Sequence, residues 1–223
     1  MATITPDLPK VEAAIIALTN DFRRDNKLGA LQPSPALAAA AKAFAAHLAR
    51  TKTFSHTADG QTFDQRARQA GYKPCQVAEN LALHRHRNGF ETNDLARRTV
   101  EGWKASPGHR QNLEAPHLTE IGVGVAEGPD RTFLSVQLLG RPDSQRYQFR
   151  IDNATQLTVT FTLSDKPAKL PPQGSVRISQ CLPATLAFDG LAPTRHHQPR
   201  DGDRFAVTGT STGDLRIEIQ PAR

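Results

Sequence analysis

Apolar positions recur at helical spacing through the first hundred residues and at strand spacing after them. Leu8, Val11, Ile15, Leu18 and Phe22 repeat every three or four positions, with Glu12, Asp21, Arg23 and Arg24 on the other face. This spacing predicts an amphipathic helix over 8–28, ended by Gly29. Pro33-Ser34-Pro35 supplies a cap residue and then a proline suited to the first helical position. The Ala-rich segment 36–50, striped by Leu37, Ala41, Phe44 and Leu48, predicts a second helix. Thr62 caps a third over 63–70, stopped by Gly71, and Thr92 or Asn93 caps a fourth that turns Leu95, Ala96, Thr99, Val100 and Trp103 inward and ends at Ala105. Tyr72 to Leu83 fits neither period, and His84-Arg85-His86-Arg87-Asn88-Gly89 reads as a solvated basic loop.

Beyond Ser106-Pro107-Gly108 the period changes. Ile121, Val123 and Val125 alternate with Gly122, Gly124 and Ala126, the pattern of a strand lying close against other backbone. Gly128-Pro129-Asp130-Arg131 turns the chain into a second strand over 132–139. Helices followed by a hairpin predict a layered α+β domain over 1–140, and Arg141-Pro142-Asp143-Ser144 reads as a linker. Over 145–223 the segments 147–152, 157–163, 175–181, 204–208 and 215–219 alternate apolar and polar residues, with turns at Asp201-Gly202-Asp203 and Thr212-Gly213-Asp214. Short strands so spaced predict a small all-β unit, a sandwich or a barrel. His196-His197 falls in a proline-flanked loop and reads as solvated, with no role.

Composition narrows the class. Hydrophobic residues make up 38% and charged residues 22% of the 223 positions, as in a globular protein, and no apolar run is long enough to cross a bilayer as a helix. The net charge of +6 invites a nucleic-acid partner. The basic residues are scattered, however, and no nucleic-acid motif is present, which leaves lipid head groups or cell-wall polymers as acidic partners. Cys75 and Cys181 lie far apart without a CxxC pair, so two buried free thiols are the simpler reading and a disulfide staple the alternative. No export signal is visible at the N-terminus, which implies a cytosolic protein or one whose leader has been removed.

The candidate chemistry centres on Trp103 to Leu113, where a Pro-Gly step breaks a helix and re-aims the chain at His109. Phe54-Ser55-His56 and Ala78-Glu79-Asn80 are the polar pieces able to join it. Two histidines and a carboxylate can hold a divalent metal such as zinc with a position open for water. Without metal, a glutamate beside two imidazoles favours their protonated form and suits anion recognition. No short ligand pattern such as HExxH is present, and on spacing alone the simplest reading has each histidine bonding a loop carbonyl.

Taken together, Phe54-Ser55-His56, Ala78-Glu79-Asn80-Leu81-Ala82, the run Gly102-Trp103 to Ser106-Pro107-Gly108-His109-Arg110-Gln111-Asn112-Leu113 and Thr119-Glu120-Ile121-Gly122-Val123-Gly124-Val125 resemble the bacterial branch of the CAP superfamily of cysteine-rich secretory, antigen 5 and pathogenesis-related proteins. The resemblance covers about residues 8–140. It implies an α-β-α sandwich with an open cleft lined by two histidines and two glutamates, here His56, Glu79 and His109. Ser106 stands where the second glutamate is expected, and Glu120 is the available substitute. The resemblance further implies a secreted or periplasmic protein that binds a hydrophobic or anionic ligand such as a lipid, sterol or envelope component. His56 and His109 would be the metal ligands if zinc binds, and no cofactor is otherwise required. A metal-assisted hydrolase with Glu79 as general base is the alternative, and a scaffold acting through residues 145–223 the third. Ser106 lacks a triad that would make it a nucleophile.

Overall fold

The first helix begins at Asp7, whose side chain accepts from the Lys10 amide, and α1 runs Leu8–Asp25 with Val11, Ile15, Thr19, Phe22 and Arg23 buried. It ends earlier than its apolar spacing predicts, because Asn26 caps it and Lys27 turns left-handed at φ 60°, so Gly29 lies beyond the end. The computed structural model describes residues 4–190, 196–209 and 214–221; the predicted turn at Thr212-Gly213 lies outside them. The chain divides into two compact units at Ser144/Gln145.

In the first unit, α2 (Pro35–Thr51) starts on the predicted proline, and α3 (Phe63–Gln69) starts in a capping box between Thr62 and Gln65. The unassigned stretch is strand β2 (Pro74–Arg85), which carries Glu79 and extends into the predicted basic loop. α4 (Thr92–Ala105) and α5 (Pro107–Glu114) meet at Ser106. β3 (Glu120–Gly128) and β4 (Thr132–Pro142) form the expected hairpin, and β4 takes in Arg141 and Pro142, the first half of the predicted linker. With the two-residue β1 (Gln32–Pro33), the sheet has the order β1-β3-β4-β2, antiparallel except where β1 joins β3. One core packs α1, α4 and α5 residues such as Ile15, Val100, Trp103 and Leu113 against Ile121, Val123 and Phe133. A second packs Leu37, Phe44, Leu48 and Ala67 against Val77, Leu81, Val136 and Leu138 on the opposite face. The unit is therefore an α-β-α sandwich. A Cβ at Gly122 would overlap the backbone of Leu37 and Ala38, and one at Gly124 that of Ala41 and Lys42, which explains why glycines alternate in β3.

The second unit is a β-sandwich. One sheet has the order β10-β9-β6-β7, formed by His196–His197, Leu186–Phe188, Val159–Leu163 and Lys166–Leu170. The other has the order β12-β11-β5-β8, formed by Leu215–Gln220, Arg204–Gly209, Tyr147–Asn153 and Ser175–Gln180. Phe149, Ile151, Phe161, Leu186, Phe188, Phe205 and Val207 fill the space between them. His196-His197 is a strand rather than a solvated loop, with the His197 ring 5.6 Å from that of Phe205 and 6.4 Å from that of Phe188. The expectation of two free thiols also fails, since both Cys75 and Cys181 are disulfide-bonded.

Candidate functional site

β2 is the outermost strand on its side of the sheet, and its side chains alternate between the two helical layers. Glu79 faces the α2–α3 layer and its side chain has no solvent exposure. Each of its carboxylate oxygens is taken: His56 Nδ1 lies 2.8 Å from Oε1, and Arg66 Nη2 donates to Oε2 at 2.8 Å. A carboxylate buried this deeply is tolerable only when paired.

Arg66 supplies the pairing and also ties down the loop that carries His56. Its Nη2 donates to the His56 carbonyl at 3.0 Å, and its Nη1 donates to Asp59 Oδ1 at 2.8 Å and to the Gln61 carbonyl at 2.9 Å. Its guanidinium lies 3.5 Å from the centre of the Phe44 ring, and its side chain is 6% exposed. The His56 side chain, by contrast, is 52% exposed. Nδ1–H donation to Glu79 fixes the tautomer and turns Nε2 outward.

His109 arrives from the other layer, in the first turn of α5. Burial, and then the charge of His56 nearby, hold its pKa below the ordinary imidazole value, so it is neutral at neutral pH. Its backbone is positioned by a polar chain across one face of the sheet. Asn80 Nδ2 donates to the His109 carbonyl at 3.4 Å and to Gln137 Oε1 at 2.9 Å, and Gln137 Nε2 donates to Thr19 Oγ1 at 2.9 Å. Asn112 Nδ2 donates to Asn80 Oδ1 at 2.9 Å and to the Glu79 carbonyl at 3.1 Å. Trp103 Nε1 donates to the Leu81 carbonyl at 2.9 Å. The Trp103–Asn112 stretch thus clamps the edge of β2 with side chains from two helices.

The structure brings His56, Glu79 and His109 to one edge of the sheet and leaves the other two predicted residues elsewhere. Ser106 joins α4 to α5, its amide donating to the Trp103 carbonyl at 3.2 Å, and its hydroxyl makes no hydrogen bond to the cluster. Glu120 lies on β3, two strands from β2, or about 10 Å across the sheet. There it faces Tyr72, whose phenol is pushed up by burial and by the negative charge of Glu120. Glu120 therefore does not join His56, Glu79 and His109. For the metal reading, the structure places His56 and His109 at the same edge of the sheet. Glu79 has both oxygens engaged, a guanidinium sits beside it, and among the described residues no three His, Cys, Asp or Glu side chains converge on a point.

Sequence reasoning gave no role to Arg66 or Gln137, and named Asn80 and Asn112 only as parts of their motifs. For Arg66 the signal was present: it shares a helical stripe with Phe63, Ala67 and Ala70, the apolar positions of α3.

Residues 16–139 match the family described as CAP, the cysteine-rich secretory protein family. The uncharacterized protein YkwD of Bacillus subtilis is 30% identical over 118 residues, which is 52% of this chain and 42% of that protein. An extracellular protein of Bacillus anthracis that contains an SCP domain aligns at 24% identity and a TM-score of 0.52, over 63% of this chain and 45% of that one. An outer surface protein of Borrelia burgdorferi aligns at 22% identity and a TM-score of 0.54, over 64% of this chain and 99% of that one. The chain spans less than half the length of the two Bacillus relatives. Residues 145–223 lie outside the family match.

Proposed function

The chain belongs to the CAP, cysteine-rich secretory protein, family, and from that premise we propose that it is an exported protein that binds a small ligand in a cleft fronted by His56 and His109. The observation that carries this reading is His56, half exposed yet held by a fully buried carboxylate. Holding one imidazole in a fixed orientation at a surface serves recognition of a group that meets Nε2. The neutral His109 beside it adds a second, less solvated partner. A ligand with an anionic or hydrogen-bonding head and an apolar body suits that pair. Export is supported by the names of the two structural relatives, one extracellular and one on an outer surface, and by two disulfide-bonded cysteines, which call for an oxidising compartment.

The test is titration of fatty acids, anionic lipids and sterols into the full chain, followed by native mass spectrometry and calorimetry. Saturable one-to-one binding is expected, weakened about tenfold or more in His56→Ala/His109→Ala with the circular dichroism spectrum unchanged. Absence of saturable binding across the panel overturns the reading.

One observation favours hydrolysis as a second reading. Nδ1–H donation to Glu79 leaves the Nε2 lone pair directed to solvent, the arrangement a general base needs to activate water without a metal. Ester turnover that disappears in His56→Ala while ligand binding persists would favour this use of the site over binding alone.

A further inference from the structure

The outward face of the β12-β11-β5-β8 sheet carries a row of arginines that runs across the strands. Arg204 of β11 is in register with Arg150 of β5, and Arg150 with Arg177 of β8. All three are exposed, while their chain neighbours Phe149, Ile151, Phe205 and Val207 point into the sandwich core. At about 4.8 Å per strand the row is about 10 Å long. Like charges directly opposite one another on adjacent strands destabilise a sheet, so this placement costs stability that an ordinary solvated face would not give up.

The local chemistry offsets only part of that cost. Asp152 accepts from Arg150 Nε at 2.7 Å through one oxygen and from Arg204 Nε through the other. Each contact uses Nε, which leaves the Nη groups of both exposed arginines without an ion pair among the described residues. Arg177 has no ion pair among the described residues. Adding Arg216 and Glu218 on the outward side of β12, the face holds four arginines against two carboxylates.

We propose that this face binds a linear acidic polysaccharide, whose successive carboxylates accept bidentately from the Nη donors of Arg204, Arg150 and Arg177. An exposed sheet face suits an extended chain lying across its strands. The outward positions of these four strands are Arg, Asp, Glu, Gln, Ser, Thr and Ala, with no aromatic ring on which nucleobases could stack. This surface is independent of the His56 cleft, and its test does not depend on what the cleft takes.

The experiment uses the full chain with an oligogalacturonate, an oligothymidylate of equal charge and neutral dextran as probes. Saturable binding of the oligogalacturonate that weakens with salt is expected, with no binding of dextran. Arg150→Gln/Arg177→Gln/Arg204→Gln should weaken it about tenfold, the scale of three exposed ion pairs. Arg24→Gln/Arg97→Gln/Arg98→Gln, which removes the same charge from helices of the first unit, should weaken it less than about twofold. Arg177→Gln alone should bind more weakly and melt no lower than wild type, since it relieves a cross-strand repulsion. Equal losses in the two triple variants, tighter binding of the oligothymidylate, no oligogalacturonate binding at all, or a lower melting point for Arg177→Gln would each overturn the proposal.

Discussion

Arg66→Met would strip Glu79 of its buried counter-charge and leave it with His56 alone. The two side chains are 6% and 0% exposed, and the arginine also holds Asp59 and the carbonyls of His56 and Gln61. Breaking one side of a buried ion pair costs about 3–5 kcal/mol, a large share of the roughly 5–15 kcal/mol that keeps a domain folded. The extra bonds of Arg66 put its loss at the upper end of that range. Glu79→Leu strands a guanidinium that still has Asp59, which puts it at the lower end. In Arg66→Met/Glu79→Leu neither charge is left uncompensated, so the double variant should be more stable than the sum of the singles by about 2 kcal/mol or more. Urea unfolding of the four proteins, with slopes compared to confirm two-state behaviour, measures this coupling directly. Additivity within about 0.5 kcal/mol would refute the claim that the pair acts as a unit.

Three further outcomes follow from the geometry. Arg23 has no exposure and donates to the carbonyls of Gly29, Leu113 and Ala115 at 2.8, 2.8 and 3.0 Å, so Arg23→Met should lower stability by about 3 kcal/mol in urea unfolding, through buried acceptors left without donors; a change within about 0.5 kcal/mol would contradict it. His84 is held below the ordinary imidazole value of 6.5 by burial and then by Arg98, so the unfolded chain takes up that proton first as the pH falls. The His84 contribution is complete above about pH 6.5 and is lost progressively below it, and His84→Leu should show a smaller fall in urea midpoint between about pH 7.5 and about pH 5 than wild type. Thiol labelling of the native oxidised protein should modify neither Cys75 nor Cys181, and labelling after reduction and unfolding should modify both.

The helices were legible because each presents one apolar stripe to a single layer. β2 was not, because helices cover both faces of the sheet and bury Glu79, Asn80 and Leu81 in succession, which removes the alternation that marks a half-exposed strand. Arg23 was misread for the opposite reason: it falls on the inward stripe Val11-Ile15-Thr19-Arg23 of α1, but its charge assigned it to solvent. Arg66, beside Phe63 and Ala67 in α3, was given no role at all. His56 and Glu79 were readable from spacing as pieces that could converge, and the resemblance strengthened that pairing; the loop that carries His56 is held by Arg66. Glu120 shows where spacing along the chain fails: β4 lies between it and Glu79.

The side chains of Trp103 and Asn112 on the Leu81 and Glu79 carbonyls have a further effect. An unprotected outer strand is a template onto which another chain can zip, the first step of aggregation. With those acceptors already occupied, β2 can hold its site residues at an open margin of the sheet and still refuse a foreign strand. The stretch that carries His109 therefore also occupies acceptors through which another strand would have to pair.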